Sequence, residues 1–297
     1  MLIGENPIDI EKVSQKFRLA FAANYFTKAA VEMALWDIAG KAAGNPVYEL
    51  LGGKVRDSVA TKWSVSGLDP EKAAEIARWA ILQGFVAMKV KVGIEPQGDV
   101  ARVGAVRHAI GDGVKLGIDA NGGWSMDDAV KTIARMKEFG IYFAEQPVSP
   151  EDVLQMAEVR KKIHVPVVAD ESICTLQDAM TLARLEAADV FSIYVGKAGG
   201  IGAAKKIADF AHASSLKCTI GSNLELGIGS AAMVHLGLAS AGVVPEEFPC
   251  DIIGPFFYET DIVREPLPIV PGKAMATDRP GLGVELDEEK VERYRVK

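Results

Sequence analysis

The sequence predicts an α/β protein: a TIM-type (β/α) barrel in modified (β/α)7β form, with a partial α+β capping domain drawn from the termini. Three observations predict it. Short apolar runs alternate with amphipathic helical stretches from about residue 61 onward. Reactive polar residues close successive runs at positions 91, 119, 145, 170, 197 and 225, about one strand-plus-helix unit apart. The length of 297 residues also suits one such barrel, which takes about 250 residues.

The first 58 residues are different in kind from the rest of the chain. The stretch "DIEKVSQKFRLAFAANYFTKAAVEMALWDIAGKAAGNPVYELLGG" carries helical periodicity and closes in the turn chemistry of "NPVYELLGG". Seven strands are then expected at "TKWSVS" (61–66), "FVAMKVKV" (85–92), "VKLGIDA" (114–120), "IYFAEQ" (141–146), "VPVVADE" (165–171), "DVFSIYV" (189–195) and "KCTIGS" (217–222). Most are rich in Val, Ile, Phe or Ala without an exposed polar face, as in strands covered on both sides. Helices such as "PEKAAEIARWAILQG", "SMDDAVKTIARMKEFG" and "IGAAKKIADFAHASS" separate them, opening on small or capping residues and ending at Gly or a Ser pair. An eighth, weaker strand is expected near "EEFPCDI" (246–252), and the Pro- and Gly-rich end reads as an irregular wrap. The expected organisation is 1–58 for the helical part of a cap, 59–263 for the barrel and 264–297 for a segment wrapping back toward the cap.

Composition excludes several classes. With 49% hydrophobic and 25% charged residues the chain can bury a large core. A net charge of −7, with no basic cluster interleaved with aromatics, argues against a nucleic-acid partner. No apolar run approaches the length of a membrane span, and the N-terminus lacks a basic, signal-like start. Cys174, Cys218 and Cys250 form no C-x-x-C pair and read as buried thiols of a reducing compartment, so a cytoplasmic address is expected.

Barrel enzymes carry their chemistry at the C-terminal ends of the strands. The second strand ends at Lys91, the third at Asp119, the fourth at Glu145 and the fifth at Asp170; Lys197 follows the sixth and Glu225 the seventh. Lys89 and Lys91 share a face because side chains alternate along a strand, and that face is the barrel interior. Consecutive strand ends are neighbours, so Asp119, Glu145 and Asp170 should converge. Three converging carboxylates repel one another, and a hard divalent cation, Mg²⁺ or Mn²⁺, resolves the conflict while leaving positions for a substrate carboxylate. Lys91 and Lys197 would flank it. An ammonium beside a cation and partly out of water gives up its proton readily, as a general base requires. Singly, each residue has a plain explanation: Glu171 reads as a helix cap or surface ion pair, Asn121 as a turn residue, and Lys89 as a structural lysine. Jointly, six successive units bearing the right group at the same end point to a catalytic array.

From about residue 20 to the end, the chain resembles the enolase superfamily, specifically its muconate-lactonizing (muconate cycloisomerase) subgroup. That subgroup is marked by a K-x-K on the second strand, here Lys89-Val-Lys91, and a lone lysine at the sixth, here Lys197. The resemblance implies metal ligands at Asp119, Glu145 and Asp170. It also implies acid/base work by Lys91 and Lys197 with Lys89 assisting, an acidic residue near the substrate carboxylate at Glu225, and substrate contacts at Asn121 and Asp251. The four histidines, His108, His164, His212 and His235, fall in helices or helix-to-strand turns. They read as surface or packing residues, so the histidine of the mandelate-racemase branch is absent. Dipeptide epimerases of the subgroup carry Asp-x-Asp after the eighth strand, whereas Asp251 is followed by Ile253. The stretch "DIIGPFFYETDIV" is similar to that of muconate and chloromuconate cycloisomerases.

The expected activity is that of an isomerase interconverting a muconate-type diacid and its lactone, acting on a small carboxylate as a homo-oligomer. Racemisation of N-acylated amino acids and dehydration to an aryl succinate use the same machinery. A non-catalytic barrel and a Schiff-base aldolase acting through Lys197 or Lys91 are the readings from other classes. Family members begin with a sheet that covers the barrel mouth, and residues 1–58 look like the helical remainder of that cap. Apolar surface around Phe17, Phe21 and Tyr25 is therefore expected to be exposed.

Overall fold

The structure is a computed structural model that describes residues 2–296. Seven parallel strands lie side by side in chain order: β2 (Trp63–Val65), β3 (Ala87–Lys91), β4 (Lys115–Asp119), β5 (Ala144–Glu145), β6 (Val167–Ala169), β7 (Val190–Ile193) and β8 (Lys217–Ile220). The helices α4 (Pro70–Gln83), α5 (Pro96–Ile110), α6 (Met126–Arg135), α7 (Val153–Lys162), α8 (Leu176–Arg184), α10 (Ile201–Ala213) and α11 (Gly227–Ala239) come after these strands one by one. The ring is closed by the stretch expected as an eighth strand. Cys250 N–H donates to the Ala60 carbonyl (2.8 Å), Lys62 N–H to that of Cys250 (2.9 Å) and Asp251 N–H to that of Ile220 (2.8 Å), joining β8 back to β2. The paired stretches are shorter than expected, most of all at 141–146, where only Ala144–Glu145 is a full strand. Around it single bonds continue the ladder, such as Tyr142 N–H to the Leu116 carbonyl (3.0 Å).

Local chemistry starts and stops the helices. α4 and α5 begin with Pro after the capping carboxylates of Asp69 and Glu95, and Ser125, Asp152 and Thr175 cap α6, α7 and α8. The stretch 125–140, expected as one helix, tightens after Arg135 into a 3-10 turn, Met136–Phe139. Inside the barrel, a Cβ on Gly117 would lie 2.2 Å from the Phe143 ring; the glycine therefore makes room for that ring in the floor, where it packs with Val168, Val190 and Phe248.

The termini form the remainder. α1 (Ile10–Ala20), α2 (Tyr25–Ala43) and the single turn α3 (Val47–Leu50) precede β1 (Val59–Ala60). The C-terminal stretch is more ordered than its Pro and Gly content suggests. β9 (Ile269–Val270) and β10 (Lys273–Ala274) form a hairpin through Gly272 that pairs antiparallel with β1, and α12 (Glu288–Tyr294) comes last. Asp37 of α2 accepts Leu282 N–H (2.8 Å), and Val47 N–H donates to the Gly281 carbonyl (2.9 Å), so the two terminal segments are tied to each other. Phe17 is buried with Val13 and Leu35, and Phe21 packs against them, contrary to the expected exposure. Exposed apolar side chains of the N-terminal segment include Ile3, Ile8, Leu19, Phe26 and Ile38. Among the described residues no helix is long and apolar enough to cross a membrane.

Candidate active site

The strand register brings the array together. Lys91 pairs with Asp119 and Asp119 with Glu145 across β3, β4 and β5, while Glu145 pairs with Val168, two residues before Asp170. Because alternate residues share a face, Asp170 emerges one step nearer the mouth on the same side. Asp119, Glu145 and Asp170 are all buried, as are Lys89 and Lys197.

Each carboxylate faces an ammonium group. Lys89 lies 2.6 Å from Glu145, 3.0 Å from Asp119 and 3.0 Å from Asp251. Lys91 donates to Asp119 Oδ2 (2.6 Å), and Lys197 to both the side-chain Oδ1 (2.5 Å) and the backbone carbonyl (2.6 Å) of Asp170. Burial opposes the Lys89 charge, but Asp119, Asp251 and Glu145 outweigh it and hold this amine well above the ordinary lysine value. Lys89 is thus fixed as an ammonium. For Asp119 the same balance runs the other way: burial favours the acid, Lys89 and Lys91 overcome it, and its pKa falls. Glu145 is pushed well above the carboxylate range by burial, which the charges of Asp119, Asp170 and Asp251 reinforce against Lys89.

Several supporting residues are not legible in the sequence. Tyr194 donates its hydroxyl to Asp170 Oδ2 (2.5 Å), and its ring lies 4.1 Å from the Lys197 amine. Gln146, with φ +34°, uses its carbonyl oxygen to accept Asp170 N–H (3.0 Å) and donates its amide to Ser172 Oγ (2.7 Å), bracing one strand end against the next. Asp99 accepts from Gly93 N–H, Ile94 N–H and Trp124 Nε1 and pairs with Arg102, whose guanidinium reaches the Lys91 carbonyl.

The remaining expected residues take varied places. Asn121, at φ +44°, accepts from Lys91 (2.8 Å) and donates to Glu171 (2.7 Å), so it is bound to the array rather than only turning the chain. Glu171 is neither cap nor surface ion pair: α8 is capped by Thr175, and Glu171 is held by Asn121. Glu225 lies in the loop after β8, where it accepts from Ser222 Oγ and from Asn223 N–H (3.0 Å). Asp251 has each oxygen facing an ammonium, Lys62 at 3.1 Å and Lys89 at 3.0 Å, and is only 4% exposed, within the charged interior of the barrel. Of the histidines, His235 alone is buried. Among the thiols Cys218 and Cys250 are buried, but Cys174 is only partly buried.

The donor set suits a hard divalent cation: all oxygen, on three neighbouring strands, with Glu145 Oε2 buried and without a hydrogen-bond partner among the described residues. As they stand, the carboxylates are spread among lysines, and among the described residues no three acidic, His or Cys side chains form a ready coordination cluster. Holding the ion requires the ammonium groups to yield part of their place on Asp119, Glu145 and Asp170.

A (β/α)7β barrel with paired lysines, a lone lysine opposite and three carboxylates at the strand ends is the framework of a barrel enzyme. The chain belongs to the enolase superfamily, in its muconate-lactonizing-enzyme-like subgroup. Residues 71–290 match the enolase C-terminal domain-like family, and residues 1–52 the N-terminal domain of the mandelate racemase/muconate lactonizing enzyme family. Curated relatives include an N-succinyl-L-Arg/Lys racemase of Bacillus cereus, 32% identical over 99% of this chain and 79% of that protein. An L-Ala-D/L-Glu epimerase of Bacillus subtilis is 33% identical over 95% and 77% of the two chains. Among solved structures, the muconate lactonizing enzyme of Pseudomonas fluorescens, complexed with muconolactone, superposes with a TM-score of 0.94 at 33% identity, covering 99% of this chain and 79% of that one.

Proposed function

We propose that the protein is a divalent-metal-dependent isomerase that moves a proton α to a carboxylate, interconverting a muconate-type diacid and its lactone. The observation that carries this reading is the row of three carboxylates on adjacent strand ends with an amine at either end, Lys91 on Asp119 and Lys197 on Asp170. Asp119, Glu145 and Asp170 would hold Mg²⁺ or Mn²⁺, which would offset the charge that develops on a substrate carboxylate as its α-proton leaves. Lys91, one-third exposed and fixed by Asn121, is placed to take or return that proton, while Lys197 waits on the other side. Lys89, anchored on Glu145 and Asp251, holds positive charge beneath them.

A second reading, racemisation of an N-acylated amino acid, is favoured by the presence of two amines, since inversion needs one on each face. A dipeptide substrate is disfavoured: Asp251 is engaged by two lysines and Ile253 stands where a second acidic anchor would be needed for a substrate ammonium.

The deciding experiment incubates the full chain with Mg²⁺ or Mn²⁺ in D₂O and cis,cis-muconate, muconolactone or either enantiomer of N-succinylarginine, and tracks α-proton loss by NMR. Interconversion of the first two supports the cycloisomerase. Exchange with inversion of N-succinylarginine alone supports the racemase. No exchange on any of them, with or without metal, removes both.

A further inference from the structure

Lys197 sits in α9 (Val195–Ala198), a single helical turn with no side-chain cap of its own. The turn leaves through Gly199 and Gly200, at φ +89° and +140°, a pair that allows many paths and specifies none. α10 then begins with Gly200 as its cap residue, and that cap too has no side chain to offer. The first free N–H groups of α10 are nevertheless satisfied, from another part of the molecule. Glu32 of α2 accepts Ile201 N–H on Oε2 (2.7 Å) and Gly202 N–H on Oε1 (2.8 Å), and Trp36 Nε1 steadies Oε1 at 2.8 Å. Glu32 is buried at 4% exposure. The fit around it is close: a Cβ at Gly200 would stand 2.4 Å from Glu32 Cδ, and one at Gly196 would stand 2.6 Å from the Phe26 ring. Both glycines are therefore places where the N-terminal helix presses on the lysine turn.

We infer that Glu32 is a positioning residue for Lys197, fixing the exit of its turn from outside the barrel; the inference rests on Lys197 being a proton-transfer group. The entry side is held separately, by Tyr194 on Asp170. Lys197 thus hangs between two anchors, one in the barrel and one in the N-terminal segment. Lys91 has no comparable contact with α2: its supports are Asp119, Asn121 and the Asp99–Arg102 pair, all within the barrel. Loss of Glu32 should therefore be felt at one amine and not the other, which a merely stabilising residue would not achieve. A displacement of about 1 Å at a reacting group costs about 100-fold in rate.

The test uses full-length Glu32→Gln, which keeps shape and volume but turns one acceptor into a donor facing an N–H. Amide hydrogen exchange by mass spectrometry is expected to show faster exchange in residues 195–205 and unchanged protection in residues 85–95. In D₂O with Mg²⁺, α-proton loss from one enantiomer of N-succinylarginine is expected to fall about 100-fold and from the other by less than about threefold. The slowed enantiomer should be the one that Lys197→Ala abolishes, and Glu32→Gln should add nothing in the Lys197→Ala background. Equal slowing of both enantiomers assigns Glu32 to general stability and overturns the inference, as does unchanged protection of 195–205. If the wild type exchanges neither enantiomer, the reading of Lys197 as a proton carrier on this substrate fails by itself, and the hydrogen-exchange result alone decides whether Glu32 sets the turn.

Discussion

The ammonium of Lys62 and the carboxylate of Asp251 meet at 3.1 Å inside the closed barrel, where β2 and the closing stretch run side by side. Lys62 is 1% exposed and also donates to the Pro249 carbonyl (2.6 Å), and the other oxygen of Asp251 reaches Lys89 at 3.0 Å. A line of alternating charge thus runs from the barrel seam to the carboxylates at the mouth. An apolar pair would fill the same space at lower desolvation cost.

Removing one member of this line is expected to cost more than removing a pair. Lys62→Ala strands Asp251 with only Lys89 for a partner and should destabilise the fold by about 3 to 5 kcal/mol. Lys62→Met combined with Asp251→Asn should lose clearly less than the two single changes together. Urea unfolding of Lys62→Ala, of Lys62→Met and Asp251→Asn singly and of the double variant measures this; strict additivity of the last three would mean that the two side chains do not interact.

His235 supplies a pH dependence. Its Nδ1 accepts Tyr48 N–H (3.2 Å) and its Nε2–H donates to the Leu282 carbonyl (3.1 Å), so the neutral ring joins α11 to both terminal segments. Burial, only partly offset by the Leu282 bond and Asp37, pushes its pKa down to about 4. The unfolded ring titrates near 6.5, so above that pH neither state takes up a proton and the full stability is present. As pH falls toward 4 the unfolded chain binds the proton and the native one does not, and stability declines. Between pH 7 and pH 5 the loss from this group is about 2 kcal/mol. His235→Gln should be less stable than wild type at pH 7 but lose less between the two values, as read by urea midpoints.

How much of the site is legible in the sequence depends on where each signal lies. Lys91, Asp119, Glu145, Asp170 and Lys197 are legible because each closes an apolar run and the runs repeat at regular spacing. Lys62 is not, because one lysine in "TKWSVS" looks like a solvated strand residue and its partner lies across the barrel seam at Asp251. Tyr194 reads as one more apolar position of its strand, although its hydroxyl ends on Asp170. Gln146 has a positive φ that no local pattern announces, and Glu32 acts on a helix cap 169 positions away. Hydrophobic period reports on a strand or helix, whereas these roles depend on which elements become neighbours. The eighth strand is weakly legible for the same reason: it is held by single bonds to β2 and β8 and not by a ladder of its own.

Glu145 couples stability to binding. Its buried carboxylate repels Asp119, Asp170 and Asp251, and one of its oxygens has no hydrogen-bond partner among the described residues. Glu145→Ala should therefore leave a native circular dichroism spectrum, yet reduce Mn²⁺ affinity and turnover by about 100-fold or more. Electron paramagnetic resonance of free Mn²⁺ reads the first quantity without any substrate. Wild-type Mn²⁺ affinity in this variant would take Glu145 out of the ligand set.

The two ends of the array should separate by face. Lys91 stands on Asp119 at one end of the carboxylate row and Lys197 on Asp170 at the other. A positioned general base contributes about 10²- to 10⁴-fold, so Lys91→Ala and Lys197→Ala should each lose that much proton exchange where they act. For a lactonization only one face carries the proton, and one variant should be inactive while the other is slowed through weaker charge stabilisation. For a racemisation each variant should retain exchange from the single enantiomer whose proton the surviving amine can reach, with inversion lost in both. Measuring deuterium uptake separately for muconolactone and for each enantiomer of N-succinylarginine distinguishes the two patterns, and full activity in both variants on every substrate would leave the lysines without a catalytic part.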